Sequence, residues 1–331
     1  MPELSRILTA LTQAPGEPAA LATLVRVEGS SYRRPGARLL VLGNGLRIGS
    51  ISGGCLEDDV VLRAQRVLAS GKAETAVYDT TTENDLVWGV GLGCQGVVHI
   101  FIEPLPAVRP PWIKTLGENL YARRETALVI VHRGANEPGT MLASEMPVGI
   151  KSSDIFRDKI SAPPALVIFG AGEDARPLVH LAKEVGWHVT VVDSRPAYAT
   201  TARFPQADIV VSAPANQATI QLVPDNSGFA VIMTHRYAED LQLLRQLFPQ
   251  AITYLGLLGP RKRTERLLSQ LQAEGFTPTE AMLAKLHAPI GLDLGGNTPE
   301  TVALAILAEM QCRRTHREPI HLRERTAPIH G

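Results

Sequence analysis

Short apolar segments separated by glycine-rich turns dominate the first part of the chain. The predicted strands are Ala20–Val27, Arg38–Leu42, Arg47–Ile51 and Gly96–Ile102. One amphipathic helix is predicted over Cys55–Ala69, because apolar residues recur there at helical spacing and Ser70-Gly71 follows. Strands and a helix in this order predict an N-terminal α+β domain.

The pattern changes at Ala165, where apolar strands begin to alternate with helices. The predicted strands are Leu166–Phe169, Val189–Val192, Ile209–Val211, Ala230–Thr234 and Thr253–Gly256. The predicted helices are Asp174–Val185, Ala238–Leu247, Arg261–Ala273 and Pro299–Gln311, the last with Thr298 as its N-cap. Repeated βα units predict a Rossmann-like, doubly wound parallel sheet with helices on both faces.

These two patterns divide the chain of 331 residues into two domains. We assign residues 1–150 to the first domain and residues 165–331 to the second. Within the first, the proline-punctuated region 106–150 contains one clear element, the strand-like Ala127–His132. The mostly polar segment 151–164 ends in Pro163-Pro164 and is interpreted as a linker.

Charge and composition exclude several classes of protein. Lys and Arg number 33, as do Asp and Glu, so the chain lacks the basic surplus of a typical nucleic-acid binder. No apolar run approaches the roughly 18 residues that a membrane span needs. The N-terminus lacks the features of a signal peptide, and the three cysteines are too few and too far apart for a disulfide framework. These features predict a cytoplasmic protein.

A dinucleotide-binding fingerprint opens the second domain. Gly170-Ala171-Gly172-Glu173-Asp174-Ala175 fits the G-x-G-x-x-G/A pattern, follows an apolar strand and begins a helix. Gly170 would make the turn, Gly172 would admit a diphosphate, and Asp193 would accept hydrogen bonds from ribose hydroxyls. Glu173 and Asp174 either interact favourably with the helix dipole or repel such a diphosphate, and the sequence leaves ligand binding open.

Two further residues of the second domain follow strands and should reach the same crevice. His235 is either an acid/base or phosphate-binding group, or a histidine whose ring is satisfied by the backbone. Arg261 belongs to the basic run Arg261-Lys262-Arg263, which is either an anion contact or a solvated face.

In the first domain, the loop Gly29–Arg38 combines hydroxyls with three arginines. Ser30, Ser31, Arg33, Arg34 and Arg38 are candidates to hold a phosphate through hydroxyl and guanidinium groups. The alternative is a hairpin loop that carries ordinary surface arginines.

Two glycine-rich loops of the same domain each contain a cysteine. In Gly49–Glu57, Ser52, Gly53 and Gly54 precede Cys55, which the predicted helix places at its N-terminus. The helix dipole there favours thiolate, although free cysteines are often buried hydrophobic residues. The loop Trp88–Gly96 contains Gly93 and Cys94. We hypothesise that these loops form one cofactor site facing the Rossmann crevice.

The same motifs identify a resemblance to a known family. The matching segments are Val25–Leu42 (VRVEGSSYRRPGARLLVL), Gly49–Asp58 (GSISGGCLED), Trp88–Gly96 (WGVGLGCQG), Ile168–Pro177 (IFGAGEDARP), Val189–Tyr198 (VTVVDSRPAY), Thr234–Tyr237, Tyr254–Arg263 (YLGLLGPRKR) and His287–Glu300 (HAPIGLDLGGNTPE). Across nearly the whole chain, except near 106–160, it resembles the XdhC/CoxI family of accessory proteins for molybdenum hydroxylases such as xanthine dehydrogenase. Relatives often carry His at the position of Glu173, where this sequence departs from the pattern.

The resemblance implies a chaperone for the molybdenum cofactor rather than an enzyme. Such a protein would bind molybdopterin, either as such or in a dinucleotide form, protect it while a cysteine desulfurase installs its terminal sulfur, and help to insert it into an apo-hydroxylase. The family often forms homodimers. The candidate cofactor-binding residues are Ser30, Ser31, Arg33, Arg34, Arg38, Ser52, Gly53, Gly54, Cys55, Gly93, Cys94, Gly170, Gly172, Asp193, His235 and Arg261, with Cys55 and Cys94 as candidate contacts to molybdenum or sulfur.

Two alternative functions remain open at this stage. One is an NAD(P)-dependent oxidoreductase that uses His235 as its acid/base, although no Tyr-x-x-x-Lys pair follows the fingerprint. The other is a partner-binding module whose Rossmann site holds no ligand.

Overall fold

The computed structural model describes residues 2–79, 96–134, 137–217 and 228–326. The chain forms two compact units, Met1–Ala162 and Pro163–Gly331. Over the described ranges, no helix is both long and apolar enough to cross a membrane.

The first unit is built on an antiparallel sheet with strand order β3-β2-β1-β5-β4 among the described residues. Its strands are β1 (Ala19–Gly29), β2 (Arg38–Leu42), β3 (Arg47–Gly49), β4 (Glu74–Asp79) and β5 (Gly96–Leu105). Every predicted strand of this region is present. The strands alternate buried side chains between two faces, which creates one apolar core on each side of the sheet.

Helices and a second sheet cover the two faces of this sheet. Helix α2 (Glu57–Ser70) buries Val60, Val61 and Ala64 against one face. The other face packs against α1 (Pro2–Gln13), α3 (Pro111–Tyr121) and a small antiparallel sheet. The strands of this small sheet are β6 (Thr126–Val131), β7 (Gly139–Leu142) and β8 (Ile155–Ile160), in the order β7-β6-β8.

The prediction of a linker over 151–164 is wrong, because β8 occupies its centre. Residues Ile155–Ile160 pair with β6, and Ile160 is buried in the core. The strand looks polar because Arg157, Asp158 and Lys159 interrupt its apolar residues, yet the Asp158 carboxylate is half-buried and paired with Arg38. A polar residue with a buried partner looks like a solvent-exposed one when only local sequence is considered.

The second unit confirms the predicted Rossmann-like fold. Its described strands run parallel in the order β11-β10-β9-β12-β13-β14. They are β9 (Ala165–Phe169), β10 (His188–Asp193), β11 (Ile209–Ser212), β12 (Phe229–Ile232), β13 (Tyr254–Leu257) and β14 (Leu286–His287).

Helices cover both faces of the parallel sheet. Helices α4 (Ala175–Glu184) and α8 (Pro299–Thr315) pack on one face. Helices α5 (Tyr237–Leu247) and α6 (Arg261–Ala273) pack on the other, and the short α7 (Glu280–Ala284) precedes β14. Thr298 caps α8 as predicted, because its hydroxyl accepts a hydrogen bond from the Thr301 backbone N–H.

A buried polar layer connects the two sheets of the first unit. Arg38 on β2 donates to Asp158 on β8 at 2.6 Å. Glu103 on β5 accepts hydrogen bonds from the backbone N–H (2.9 Å) and the hydroxyl of Thr140 on β7. Burial raises the pKa of Glu103, and its bonds to Thr140 and the charge of Arg38 offset this effect only in part.

The raised pKa of Glu103 predicts a pH-dependent difference between the wild type and Glu103→Gln. Because the folded state holds the Glu103 proton more tightly than the unfolded state, wild-type stability falls as pH rises above the ordinary value of 4.5. Glutamine does not titrate and preserves the shape of the protonated acid. In urea unfolding measurements, Glu103→Gln should therefore gain stability relative to the wild type between pH 5 and pH 8.

The control is Glu118→Gln, because Glu118 lies on the exposed surface of α3 and pairs only loosely with Lys114 (3.8 Å). The difference in free energy of unfolding between Glu118→Gln and the wild type should stay constant over the same pH range. If the free energies of unfolding of the wild type and Glu103→Gln differ by the same amount at every pH in that range, the raised pKa of Glu103 is contradicted.

Candidate functional site

The Ser30–Gly36 segment of the first unit forms the connection between β1 and β2. Ser30 and Arg34 are exposed, and Ser31 is half-buried. The Arg33 guanidinium donates to both carboxylate oxygens of Glu3 on α1, at 3.1 and 2.8 Å. Arg33 is therefore held by a partner that the sequence reasoning did not identify, and a ligand phosphate would have to compete with Glu3.

The burial of Arg38 does not favour its predicted contact with a phosphate. Only 4% of this residue is exposed, and its guanidinium donates to Asp158 (2.6 Å) and to the backbone oxygen of Gly36 (3.0 Å). A ligand could reach it only by opening the core. Both faces of β2 are covered, so all five of its residues are buried. Arg38 shares the face of Leu40 and Leu42, which belongs to the core that also contains the small sheet.

The second loop of the site, Ser50–Leu56, wraps around the carboxylate of Glu57. This carboxylate accepts hydrogen bonds at 2.8–3.2 Å from the Ser50 hydroxyl and from backbone N–H groups, and also accepts one from the Ser52 hydroxyl. The donating N–H groups belong to Ile51, Ser52, Gly53, Gly54 and Leu56. The backbone of this loop therefore forms a cradle for an anion, and the anion that it holds is a side chain of this protein.

The electrostatics of Glu57 agree with this geometry. Partial burial raises the pKa of a carboxyl group, but the hydrogen bonds from Ser52, Ser50 and the loop backbone outweigh it and lower the pKa of Glu57 to about 2. Glu57 is thus fully ionised at neutral pH. Ser52, Gly53 and Gly54 already donate hydrogen bonds to Glu57. Their predicted contacts with a ligand would therefore have to use other atoms.

Cys55 lies in this loop rather than in the helix. Helix α2 begins at Glu57, so the prediction of Cys55 in the first helical turn is wrong by two residues. Gly53 and Gly54, with φ of +90° and +120°, carry the chain away from helical geometry until Glu57. Cys55 is half-buried, and its thiol donates to the Ser52 backbone oxygen at 3.9 Å.

The structure brings the two described loops together through Tyr32 and Gly53. A Cβ atom on Gly53 would lie 2.9 Å from the Tyr32 ring, so only glycine allows this packing. The Ser30–Arg34 segment and the Gly53–Cys55 segment are therefore neighbours on one face of the first unit. Gly93 and Cys94 lie outside the described residues, and their place in the site stays a prediction.

In the second unit, Gly170 and Gly172 have different roles. Gly170 has φ of +119°, and a Cβ there would lie 2.4 Å from the Met233 backbone oxygen. Gly170 is thus required for the turn after β9 to approach the segment that follows β12. A Cβ on Gly172 would meet no atom within 4 Å, so space is open at the position expected to admit a ligand.

Asp193 ends β10 as predicted, but its carboxylate is already engaged. It accepts hydrogen bonds from the Ala171 backbone N–H (2.7 Å) and from the Arg195 side chain (2.9 and 2.8 Å). Burial raises the pKa of Asp193, but these bonds outweigh it and lower the pKa. Arg195 in turn stacks on the Tyr198 ring at 3.7 Å. A ribose hydroxyl could bind Asp193 only by displacing Arg195.

Basic partners compensate the acidic residues of the fingerprint loop. Glu173 pairs with Arg203 (2.6 Å) and Arg176 (3.1 Å), and Asp174 pairs with the His235 ring nitrogen Nε2 (3.0 Å). The repulsion expected between Glu173 and a diphosphate is therefore reduced by its two arginine partners. Sequence reasoning singled out His235 but missed its partner.

His235 and Arg261 occupy the places predicted for them after strands of the parallel sheet. His235 is exposed, with a left-handed backbone (φ +58°) that non-glycine residues rarely adopt. Arg261 is exposed at the start of α6, whereas Arg263 of the same basic run pairs with buried Asp240 at 2.6 Å. Among the described residues, no group of three or more His, Cys, Asp or Glu side chains is arranged to hold a metal ion.

Together these features define a class of protein: one unit presents a thiol on a glycine-rich loop, and the other is a Rossmann fold. Family models match both parts of the chain. Residues 12–79 match the XdhC and CoxI family, and residues 166–310 match the XdhC Rossmann domain. The chain belongs to the XdhC/CoxI family.

Individual relatives extend the similarity over nearly the full length. The chain is 35% identical over 319 residues to a probable xanthine dehydrogenase subunit of Bacillus subtilis (strain 168), with 89% of this chain and 92% of that protein covered. It is 23% identical over 306 residues to the molybdenum cofactor insertion chaperone PaoD of Escherichia coli (strain K12), and the match covers 92% of this chain and 86% of PaoD.

A solved structure shares the fold. The crystal structure of a xanthine dehydrogenase from Bacillus halodurans superposes with a TM-score of 0.80 at 30% sequence identity. The match covers 96% of this chain and 97% of the other. The similarity therefore includes region 106–160, for which the sequence motifs gave no match.

The different environments of Gly170 and Gly172 predict different outcomes for the same substitution. Gly170→Ala should lower the free energy of unfolding by about 2 kcal/mol or more, because the new Cβ clashes with the Met233 backbone oxygen. Gly172→Ala should change it by no more than roughly 0.5 kcal/mol. Chemical denaturation of both variants checks this, and similar losses of stability would contradict it.

Proposed function

We propose that this protein binds the molybdenum cofactor in its molybdopterin form, protects it during sulfuration and helps to insert it into a xanthine dehydrogenase-type hydroxylase. The observation that carries the proposal is the similarity over nearly the full length to a protein named as a molybdenum cofactor insertion chaperone. The names of the Bacillus relatives point to the same hydroxylase class.

The first unit offers groups that suit this cargo. The half-buried Cys55 thiol is a soft sulfur donor, and such donors suit molybdenum or a transferable sulfur atom. Ser30 and Arg34 are exposed on the neighbouring loop, where hydroxyl and guanidinium groups suit the phosphate of molybdopterin. The cofactor supplies the molybdenum centre on which the hydroxylase later depends. The protein's own residues bind it, orient it and shield it.

The expected partners follow from this role. An apo-hydroxylase would receive the cofactor, a cysteine desulfurase would supply the sulfur, and a second copy of this chain would complete a homodimer. These assignments are part of the proposal, as is the thiol pair of Cys55 and Cys94.

A nucleotide-binding function of the Rossmann unit is a second candidate. It is favoured by the open space at Gly172 and by the pairing of Glu173 with Arg203 and Arg176. The engagement of Asp193 by Arg195 argues against simple NAD binding, because the ribose-binding position is taken. We therefore place this function second.

Anaerobic titration of the purified protein tests the proposal. Molybdenum cofactor should bind the wild type, and Cys55→Ala should weaken binding roughly tenfold or more, because the soft ligand is lost. Activation of an apo-hydroxylase should fall in parallel. Cys312→Ala, which removes a half-buried thiol of α8, is the matched control and should bind as the wild type does.

A parallel titration with NADH distinguishes the alternatives. Binding of NADH without binding of the cofactor would overturn the proposal and favour an NAD(P)-dependent oxidoreductase. Binding of neither ligand, together with capture of an apo-hydroxylase, would favour a pure interaction module.

A further inference from the structure

We propose that Glu57 is the positioning residue for the Cys55 thiol, and that its carboxylate acts as a built-in anion that holds the Gly-Gly-Cys loop in its binding conformation. This inference deepens the proposed function and rests on it for the role of Cys55. The structural part of the inference stands on the geometry of the loop alone.

The loop cannot hold its shape through ordinary secondary structure. Residues 50–56 lie outside α2 and the neighbouring strands, and Gly53 and Gly54 adopt positive φ. Glycines in such a segment are free to take many other conformations in the absence of a fixed partner. Restricting them requires an interaction that reaches several residues at once.

The Glu57 carboxylate provides that interaction. Its Oε1 accepts from Ile51 N (3.1 Å) and Gly53 N (3.2 Å), and its Oε2 accepts from Gly54 N (2.9 Å) and Leu56 N (3.2 Å). Cys55 lies between these last two donors in sequence, so the backbone N–H groups of both neighbouring residues are tied to one side chain. Charge-assisted bonds of this kind are stronger than neutral ones.

Two other contacts complete the positioning of the thiol. The Ser52 hydroxyl both donates to Glu57 and accepts from Leu56 N at 2.9 Å, and the Ser52 backbone oxygen accepts from the Cys55 thiol at 3.9 Å. Tyr32 packs on Gly53 from the outside. Removal of the carboxylate would therefore release the donors on both sides of Cys55 while leaving the thiol in the chain.

Chemical rescue provides a sharp test. Glu57→Ala removes the carboxylate and leaves a space into which free acetate fits. We expect alkylation of Cys55 by iodoacetamide, followed by mass spectrometry of the Cys55 peptide, to accelerate roughly fivefold or more in this variant because the thiol loses its fixed environment. Acetate should return the rate towards the wild-type value, whereas chloride at equal ionic strength should not. Cys312 in the same molecule is the internal reference.

Asp58→Ala is the matched control. Asp58 lies in the same first turn of α2 and carries the same charge, but its side chain is 90% exposed and pairs with Arg47 outside the loop. This variant should leave Cys55 alkylation unchanged and should not respond to acetate. An equal acceleration in both variants would overturn the proposal, because it would show a general effect of charge on the thiol.

Amide hydrogen exchange of the wild type tests the geometry even if Glu57→Ala does not fold. The N–H groups of Gly53 and Gly54 should be protected although they belong to no helix or strand. Free exchange at both positions would overturn the proposal.

Cofactor titration completes the experiment. Glu57→Ala should bind molybdenum cofactor roughly tenfold more weakly than the wild type, and acetate should restore binding. Unchanged cofactor binding by Glu57→Ala would overturn the positioning role. If the wild type itself binds no cofactor, the proposed function fails, whereas the alkylation and exchange results still decide whether Glu57 fixes the loop.

Discussion

The ion pair between Arg38 and Asp158 is the contact on which the layered core of the first unit depends. Two charges removed from water must be paired, and breaking such a pair typically costs about 3–5 kcal/mol. The pair joins β2 of the large sheet to β8 of the small one across 120 residues of sequence. It therefore ties the small sheet to the large one, beside the apolar core that contains Ile160.

The same pair explains why the linker prediction is wrong and why the structure does not favour the predicted phosphate contact of Arg38. Arg38 looked like a ligand of phosphate because it stands at the end of a loop rich in arginine and serine, and segment 151–164 looked like a linker because it is polar. Both residues are charged because each one pairs with the other inside the first unit, and this pairing is not visible in either local sequence. The strands of the Rossmann unit, which are short apolar runs alternating with helices, and the cap of α8 at Thr298 could be predicted because their signals are local.

The site was harder to predict because its polar groups find partners far along the chain. Glu3 and Arg33 lie 30 residues apart, and Asp174 and His235 lie 61 apart. In both units, moreover, a carboxylate of the chain accepts from the backbone of a glycine-rich turn: Glu57 in the first, and Asp193 through Ala171 N in the second. A glycine-rich motif indicates a backbone that can bind an anion, and the anion can be one of the protein's own side chains.

The pairing of Glu3 with Arg33 has a practical consequence for work on this protein. Glu3 stands in the first turn of α1 and also lies against Gly49, at the start of the loop that carries Cys55. Any residues fused ahead of this helix, such as an affinity tag, would emerge beside the candidate site. Purification handles placed there would compete sterically with large ligands, so recombinant protein for binding work is better tagged elsewhere or cleaved before use.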